Sequence, residues 1–196
     1  FRISRALDSK TEKVLSFEKA WEKLVGKQTL RIGTRQKTEV ESFDFIARST
    51  YLRPRDFVKY LQACAKEAID TDGLIHAKTI RTVDTAFSNY LKDELKDELF
   101  AIVPDISAIF DVISQIGKWN FSNSEFERAY REQGKRGNLV QKDVGFVLQV
   151  LFLFSVVGNA RRHDYYVFRY LHRDARISFS DRIVVHRGLF KSLQIF

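Results

Sequence analysis

The order of hydrophobic patterns in the C-terminal half most constrains how this chain can fold. Asp105 is predicted to cap a helix whose apolar stripe has the helical period of about 3.6 residues, and Ser122 and Glu125 have the spacing of a capping box at the start of a second helix. Residues 144–157 are almost entirely apolar and predict a buried third helix. Two runs rich in aromatic and β-branched side chains, residues 165–171 and 182–186, predict strands.

Helices followed by paired strands in this order predict a winged helix-turn-helix domain over residues 101–196. Trp119, Asn120 and Phe121 would form its short first strand. Gly158 and Asn159 would end the third helix, because both residues tolerate left-handed backbone geometry. We expect residues 165–171 to pair with residues 182–186 as a small β-hairpin, with residues 173–181 as the wing.

Residues 1–100 have helical periodicity and predict a bundle of helices. An amphipathic helix should run from Ser9 to Val25, with Gly26 placed to end it, and residues 29–32 are either a short strand or a connection. A second helix is predicted over residues 40–51, and Pro54 suits the first turn of a third. A long fourth helix should follow over residues 76–99. The chain is therefore predicted to be mainly α, with two domains that meet after residue 100.

The positive charge of the chain is concentrated at its C-terminal end. Residues 134–196 hold 11 of the 33 basic residues but only 4 of the 25 acidic ones, which is +7 of the net charge of +8. Clustered positive charge attracts the phosphates of nucleic acids. The candidate nucleic-acid-binding residues are Lys142, Gln149, Arg161, Arg162, Arg169, Arg173, Arg176 and Arg182.

The third helix of the predicted winged helix offers few side chains to base edges. Asn138, Lys142 and Gln149 are nearly all that it has, whereas reading the major groove requires an exposed polar stripe. The arginines therefore favour phosphate contact without sequence preference, because counterion release depends on charge more than on geometry. Two alternatives stay open: the basic residues form a solvated face, or the apolar helix packs against another domain or chain.

Cysteine usage and hydropathy indicate the compartment. The single cysteine, Cys64, cannot form an internal disulfide, which predicts a reducing, cytoplasmic environment and a thiol in the core. The longest apolar stretch, residues 144–157, is too short to cross a bilayer, so we expect no membrane partner. A first residue of Phe and the lack of methionine lead us to expect a segment of a longer chain.

Catalytic and cofactor motifs are not evident. Gly26, Gly117 and Gly134 precede lysines, but none has the second glycine and the Ser or Thr of a phosphate loop. The histidines lack the short spacings of a zinc site. The carboxylates of residues 93–98 alternate with lysines, as on a solvated helix face. We therefore predict that this segment is not an enzyme, has no catalytic residues and binds no metal or cofactor.

The stretch Tyr51-Leu52-Arg53-Pro54-Arg55-Asp56-Phe57-Val58, followed by a long helix and a winged helix, resembles a known family. Residues 40–196 are similar to the lid and C-terminal region of bacterial P-loop ATPases of the signal-transduction (STAND) and origin-initiator types. Residues 183–189, Ile-Val-Val-His-Arg-Gly-Leu, also look like the end of that family's winged helix. The resemblance implies that residues 1–100 form a lid-like domain.

The same resemblance implies a role for Arg53 or Arg55. In such ATPases an arginine at the start of a lid helix reaches the terminal phosphates of a nucleotide held by the neighbouring core. Either arginine would then sense ATP, with Mg, bound in a parent protein. The plainer interpretation is that both are solvent-exposed residues at a helix N-terminus.

We therefore expect the C-terminal regulatory or recognition region of a P-loop ATPase. It would couple nucleotide state to assembly or to sensing of a nucleic-acid or protein partner, in signalling or in defence against invading nucleic acid. Its partners would include an upstream ATPase core or like subunits. The alternative is an autonomous winged-helix DNA-binding transcriptional regulator. A phosphate loop upstream of Phe1 would favour the first, and a start codon near Phe1 the second.

Overall fold

The computed structural model describes residues 15–32, 38–69, 72–137, 139–140, 143–161 and 165–195. The chain forms two compact units, Phe1–Asp84 and Thr85–Phe196, and the boundary lies within a long helix, α4 (Ala77–Phe100). The boundary predicted from the sequence follows this helix and stays a prediction. In the described part of the chain, helices dominate and the strands form two small antiparallel sheets.

Unit 1 packs helices around a two-stranded antiparallel sheet in which Leu30 pairs with Val40. Ser16 caps the first helix, because its Oγ accepts a hydrogen bond from the Lys19 N–H at 3.4 Å, and Gly26 ends it with a φ of 71°. Before α4, the elements are α1 (Phe17–Val25), β1 (Thr29–Ile32), β2 (Thr38–Glu41), α2 (Ser42–Ala47) and α3 (Pro54–Ile69).

The predicted helix over residues 40–51 is wrong in its first and last parts. Residues up to Glu41 belong to β2, and only Ser42–Ala47 is helical. Strand β1 offers hydrogen-bond partners to this segment, and pairing between strands overrides the local helical period. Tyr51 and Leu52 have positive φ values of 50° and 54°, so the chain turns sharply before α3. The predicted start of α3 at Pro54 is confirmed.

The described part of unit 2 contains most of α4, three further α-helices and a four-stranded antiparallel sheet. Its core includes Ile113, Phe121 and Leu148, which are fully buried. After α4 the elements are α5 (Ile106–Ile116), β3 (Asn120–Phe121), α6 (Asn123–Lys135), α7 (Val144–Leu153), β4 (Val157–Ala160), β5 (Tyr166–Val167), β6 (Arg182–Val185) and a short 3₁₀ helix (Arg187–Leu189). The strand order in the sheet is β3-β6-β4-β5.

The predicted hairpin between residues 165–171 and 182–186 is wrong, because a strand lies between them. Strand β4 pairs with β5 on one side and with β6 on the other, so that Asn159 faces both Val167 and Ile183. Gly158 and Asn159 therefore extend a sheet and do not end a helix. Helix α7 ends earlier, and the positive φ of 59° that follows it belongs to Ser155.

Capping explains where the helices of unit 2 begin. The predicted capping box is present, since Ser122 and Glu125 each accept from the backbone N–H of the other. Asp143 caps α7 by accepting from the Phe146 N–H at 3.1 Å. The predicted cap by Asp105 is wrong: the residue precedes α5, but its side chain makes no cap hydrogen bond, and its Oδ2 instead accepts from the Val140 N–H at 2.8 Å.

Among the described residues, the longest helices are too polar, and the apolar ones too short, to cross a membrane.

Candidate nucleic-acid interface

The wing segment, which we define as the described residues between β4 and β6 (161 and 165–181), is attached to the sheet by a buried asparagine. The Nδ2 of Asn159 donates to the Ser178 carbonyl at 2.8 Å, and its Oδ1 accepts from the Ser178 N–H at 2.8 Å. Asn159 is 1% exposed, so both bonds form away from water. The amide thus holds the returning end of the wing segment in one position.

Further hydrogen bonds give the wing segment a defined path. The Tyr170 N–H donates to the buried Ser155 Oγ at 3.0 Å, and Arg169 Nη1 donates to the Ala175 carbonyl at 3.0 Å. The N–H groups of Leu171 and His172 both donate to the Phe168 carbonyl. Because these backbone groups have partners within the protein, the segment presents its side chains from a fixed scaffold.

An exposed ring pair lies beside this scaffold. The Oη of Tyr165 and Nε2 of His172 are 2.9 Å apart, and the ring centroids are 5.7 Å apart. The Arg161 N–H donates to the Tyr165 carbonyl at 2.8 Å, which places an arginine beside the tyrosine. Tyr165 is 49% exposed. The arrangement combines an accessible aromatic surface with positive charge.

The structure brings three of the predicted arginines to the surface of the wing segment. Arg161, Arg173 and Arg176 are exposed, and the Arg161 Nε lies 3.9 Å from Asp181 Oδ2. Within the described residues, no ion pair or side-chain hydrogen bond engages Arg173 or Arg176. Arg169 is only half-exposed, and it donates to the Ala175 carbonyl. Arg162 lies outside the described residues.

Arg182 belongs to a different network from the other predicted arginines. Its guanidinium donates to the side-chain oxygen of Asn120 and, at 3.0 Å, to the Asn120 carbonyl, and it lies 3.7 Å from Glu125 Oε2. These contacts join β6 to β3 and to the start of α6. The sequence predicted Arg182 as a nucleic-acid-binding residue, but in the structure its donors are directed at Asn120 and Glu125 of the protein itself.

Helix α7 presents an apolar face. Phe146 and Leu153 are 36% and 55% exposed, and Gln149 between them is the one exposed polar side chain of this helix. Lys142, predicted to accompany Gln149, lies outside the described residues. The described part of α7 therefore has a single side chain able to hydrogen-bond a base edge.

The two arginines of the Arg-Pro-Arg-Asp stretch lie at the start of α3. The Arg55 side chain is 62% exposed, and its Nε is 3.4 Å from Oδ1 of Asp56, which is itself 1% exposed. The Arg53 guanidinium lies 5.3 Å from the centroid of the Tyr51 ring. Both arginines thus flank the N-terminal turn of a helix, where backbone N–H groups favour anions.

Several important residues were missed by sequence reasoning. Asp56 and Tyr60 are buried, whereas Val58 is 47% exposed. The Tyr60 Oη donates to the Ile80 carbonyl at 2.9 Å. The four-residue spacing of Asp56, Tyr60, Cys64 and Ala68 was the available signal. Asn159 and Tyr165 had no comparable signal, because their roles depend on how the sheet pairs.

The buried cysteine has a thiol with a raised pKa. Burial raises the pKa of the Cys64 thiol to about 12, and the charges of Asp84 and Glu67 act in the same direction. The thiol therefore stays protonated at neutral pH, as expected of the predicted core residue. Among the described residues, no three His, Cys, Asp or Glu side chains are grouped as a metal site would require.

Comparison with known proteins gives one similarity. A family model described as a FunZ-associated C-terminal helical domain matches residues 2–96. The matched region comprises nearly all of unit 1 and most of α4. The N-terminal half is thus similar to a class of C-terminal helical domains, whereas most of unit 2 lies outside the match. No curated protein and no solved structure matches the chain.

Proposed function

We propose that this chain is a C-terminal recognition region of a larger protein, in which unit 2 is a winged helix that holds the phosphate backbone of nucleic acid through its wing. The observation that carries the proposal is the wing segment attached by Asn159, with Arg161, Arg173 and Arg176 exposed on it. Similarity of the N-terminal half to a C-terminal helical domain supports the place in a larger protein.

The winged-helix assignment is supported by the order and pairing of the elements. Helices α5, α6 and α7 are followed by antiparallel β4 and β6, and the short β3 lies beside β6. The long connection between β4 and β6 is then the wing, and β5 is an additional strand on its edge. This arrangement differs from the predicted hairpin but serves the same purpose of projecting a basic loop from a sheet.

Contact through the wing, without sequence preference, fits the side chains better than reading of bases by α7. The exposed face of α7 offers Phe146, Gln149 and Leu153, which supply little hydrogen-bonding capacity to a major groove. Arginines on the wing need only lie close to phosphates to contribute to binding, because the release of counterions from the phosphate backbone favours association. An autonomous sequence-specific regulator is therefore the weaker alternative.

We expect binding to duplex DNA to weaken steeply with salt, and the Arg173→Ala/Arg176→Ala variant to lose about two units of the slope of log K against log salt concentration. Fluorescence anisotropy with two unrelated labelled duplexes over a salt series measures this slope. The matched control is Arg48→Ala/Lys66→Ala, which removes the same charge from exposed positions in unit 1. That control should leave the slope nearly unchanged.

Two outcomes would contradict the proposal. A failure to bind any nucleic acid at low salt would favour a protein partner for unit 2. Tight binding to one duplex sequence that persists at high salt would restore recognition of bases by α7.

A second candidate concerns the larger protein. We propose that it is a P-loop ATPase, in which this chain couples nucleotide state to assembly or to partner sensing. Exposure of Arg55 at the first turn of α3, a helix of 16 residues, supports this candidate, because a helix N-terminus and a guanidinium both favour phosphate. Arg53 or Arg55 would then approach the terminal phosphate of ATP bound with Mg in the ATPase core.

A further inference from the structure

Tyr165 is an aromatic ring that the fold holds at the surface. Almost half of the residue is accessible, although it lies next to β5 and within reach of the sheet. Its hydroxyl end is fixed by the 2.9 Å contact with His172, and its carbonyl accepts from the Arg161 N–H at 2.8 Å. The ring is therefore positioned before any ligand arrives, which reduces the entropy lost on binding.

Two arginines are neighbours of this ring pair along the backbone. Arg161 is hydrogen-bonded to the backbone of Tyr165, and Arg173 follows His172 directly; both arginines are exposed. A nucleotide presents a flat base and a phosphate joined by one sugar. A fixed ring with exposed arginines on neighbouring backbone offers a partner to both parts, whereas arginines alone match only the phosphate.

We infer that the wing takes an unpaired base on the ring of Tyr165, so that unit 2 prefers single-stranded nucleic acid to continuous duplex. The inference rests on the proposed function. In a duplex both faces of a base are covered by its neighbours in the stack, whereas an unpaired base exposes a face to an aromatic side chain. Stacking tolerates any base, which agrees with the scarcity of base-reading groups on α7.

The test compares a labelled oligothymidine with a duplex of the same length at one low salt concentration. We expect the single strand to bind more tightly than the duplex. The Tyr165→Leu variant should weaken binding of the single strand by roughly tenfold, the effect of losing one stacked base, and should leave duplex binding nearly unchanged. Tyr165→Phe keeps the ring and should retain most of the affinity.

Two controls separate stacking from other effects. Phe100→Leu removes another exposed aromatic ring, 62% accessible at the end of α4, and should change neither affinity. An oligonucleotide made of abasic sugars presents phosphates without bases to the unaltered protein. It should bind more weakly than oligothymidine, by the same factor as Tyr165→Leu, and this comparison does not depend on how any variant folds.

The outcomes distinguish the inference from the proposed function. Equal binding of oligothymidine and the abasic strand, or an unchanged single-strand affinity in a folded Tyr165→Leu variant, would overturn the stacking inference and leave phosphate binding intact. Absence of binding to every probe at low salt would overturn both.

Discussion

At the scale of single residues, Glu125 connects the start of α6 to its surroundings. Its Oε2 accepts from the Ser122 N–H at 2.8 Å, and its Oε1 accepts from Lys118 Nζ at 2.7 Å. The hydrogen bond from Lys118, followed by that from the Ser122 backbone, lowers the pKa of Glu125 to about 2. The carboxylate is therefore the favoured form of this cap in the folded protein.

Replacement of Glu125 by Gln should destabilise the protein in a pH-dependent manner. The amide keeps the shape of the cap but loses the charge, which should cost about 1 kcal/mol at pH 7, since the side chain is partly exposed to solvent. Because folding lowers the pKa from 4.5 to about 2, the carboxylate stabilises the folded state above pH 4.5 and loses this effect as the pH falls towards 2. Urea denaturation across this pH range measures the free energy of unfolding of the original protein and of the variant. A difference between the two free energies that does not change with pH would contradict the interpretation.

At the scale of elements, strand β4 requires a glycine at position 158, where the residues of β5 and Phe168 lie close to its backbone. A Cβ at position 158 would lie 2.7 Å from the Val167 carbonyl oxygen and 2.8 Å from Cδ1 of Phe168. Both contacts are shorter than packed atoms allow, and Gly158 and Phe168 are themselves buried.

Gly158→Ala should therefore destabilise the protein by about 1–3 kcal/mol, because the extra methyl group must displace β5 or the Phe168 ring. The matched control is Gly134→Ala in α6, where no heavy atom lies within 4 Å of the added Cβ. The control should stabilise the protein by roughly 0.5–1 kcal/mol, since alanine favours the helix. Thermal melting compares the stability of the two variants. Similar melting temperatures would show that β5 can move to accommodate the methyl group without loss of stability.

At the scale of the whole molecule, the two units carry different candidate functions. Unit 1 bears Arg53 and Arg55 at the start of α3, within the region similar to a FunZ-associated C-terminal helical domain. Unit 2 bears the arginines of the wing segment. If both proposals hold, the chain has two phosphate-binding sites, one in unit 1 for a nucleotide and one in unit 2 for a nucleic acid.

Arg53→Ala and Arg55→Ala test the nucleotide-sensing role in a longer protein that contains this chain and a P-loop core. Loss of the sensing guanidinium should lower the ATPase rate by about a hundredfold, because charge on the transferring phosphoryl group is a main source of catalysis. Melting of this chain alone should change little for Arg53→Ala and slightly more for Arg55→Ala, which leaves the buried Asp56 without its contact to Arg55.

The control for this experiment is Arg48→Ala, an exposed arginine at the end of α2 that should affect neither measurement. An unchanged ATPase rate in both test variants would refute the sensor assignment. A large loss of melting temperature would identify the arginines as structural.

The sequence by itself determined the features that depend on neighbouring residues. Pro54 begins α3 and Ser122 with Glu125 begins α6 where predicted, because a proline ring and a capping box act within one turn of helix. Burial of Leu148 and Leu151 followed from the apolar run of α7. The concentration of positive charge in residues 134–196 is likewise a property of the sequence alone.

The tertiary structure decided which strands pair and which side chains face solvent. Strand β4 pairs with residues far along the chain, such as Val185 opposite Val157. The hydrophobic pattern of the residues near β4 does not predict which strand it pairs with. The folded chain also buries Asn159, whose amide bonds to Ser178, directs Arg182 towards Asn120 and leaves Arg173 and Arg176 exposed. Hydrogen bonds within one turn can be predicted from the sequence, because their partners are close together along the chain. The candidate nucleic-acid interface could not be predicted in this way, because it depends on contacts between distant residues that only folding brings together.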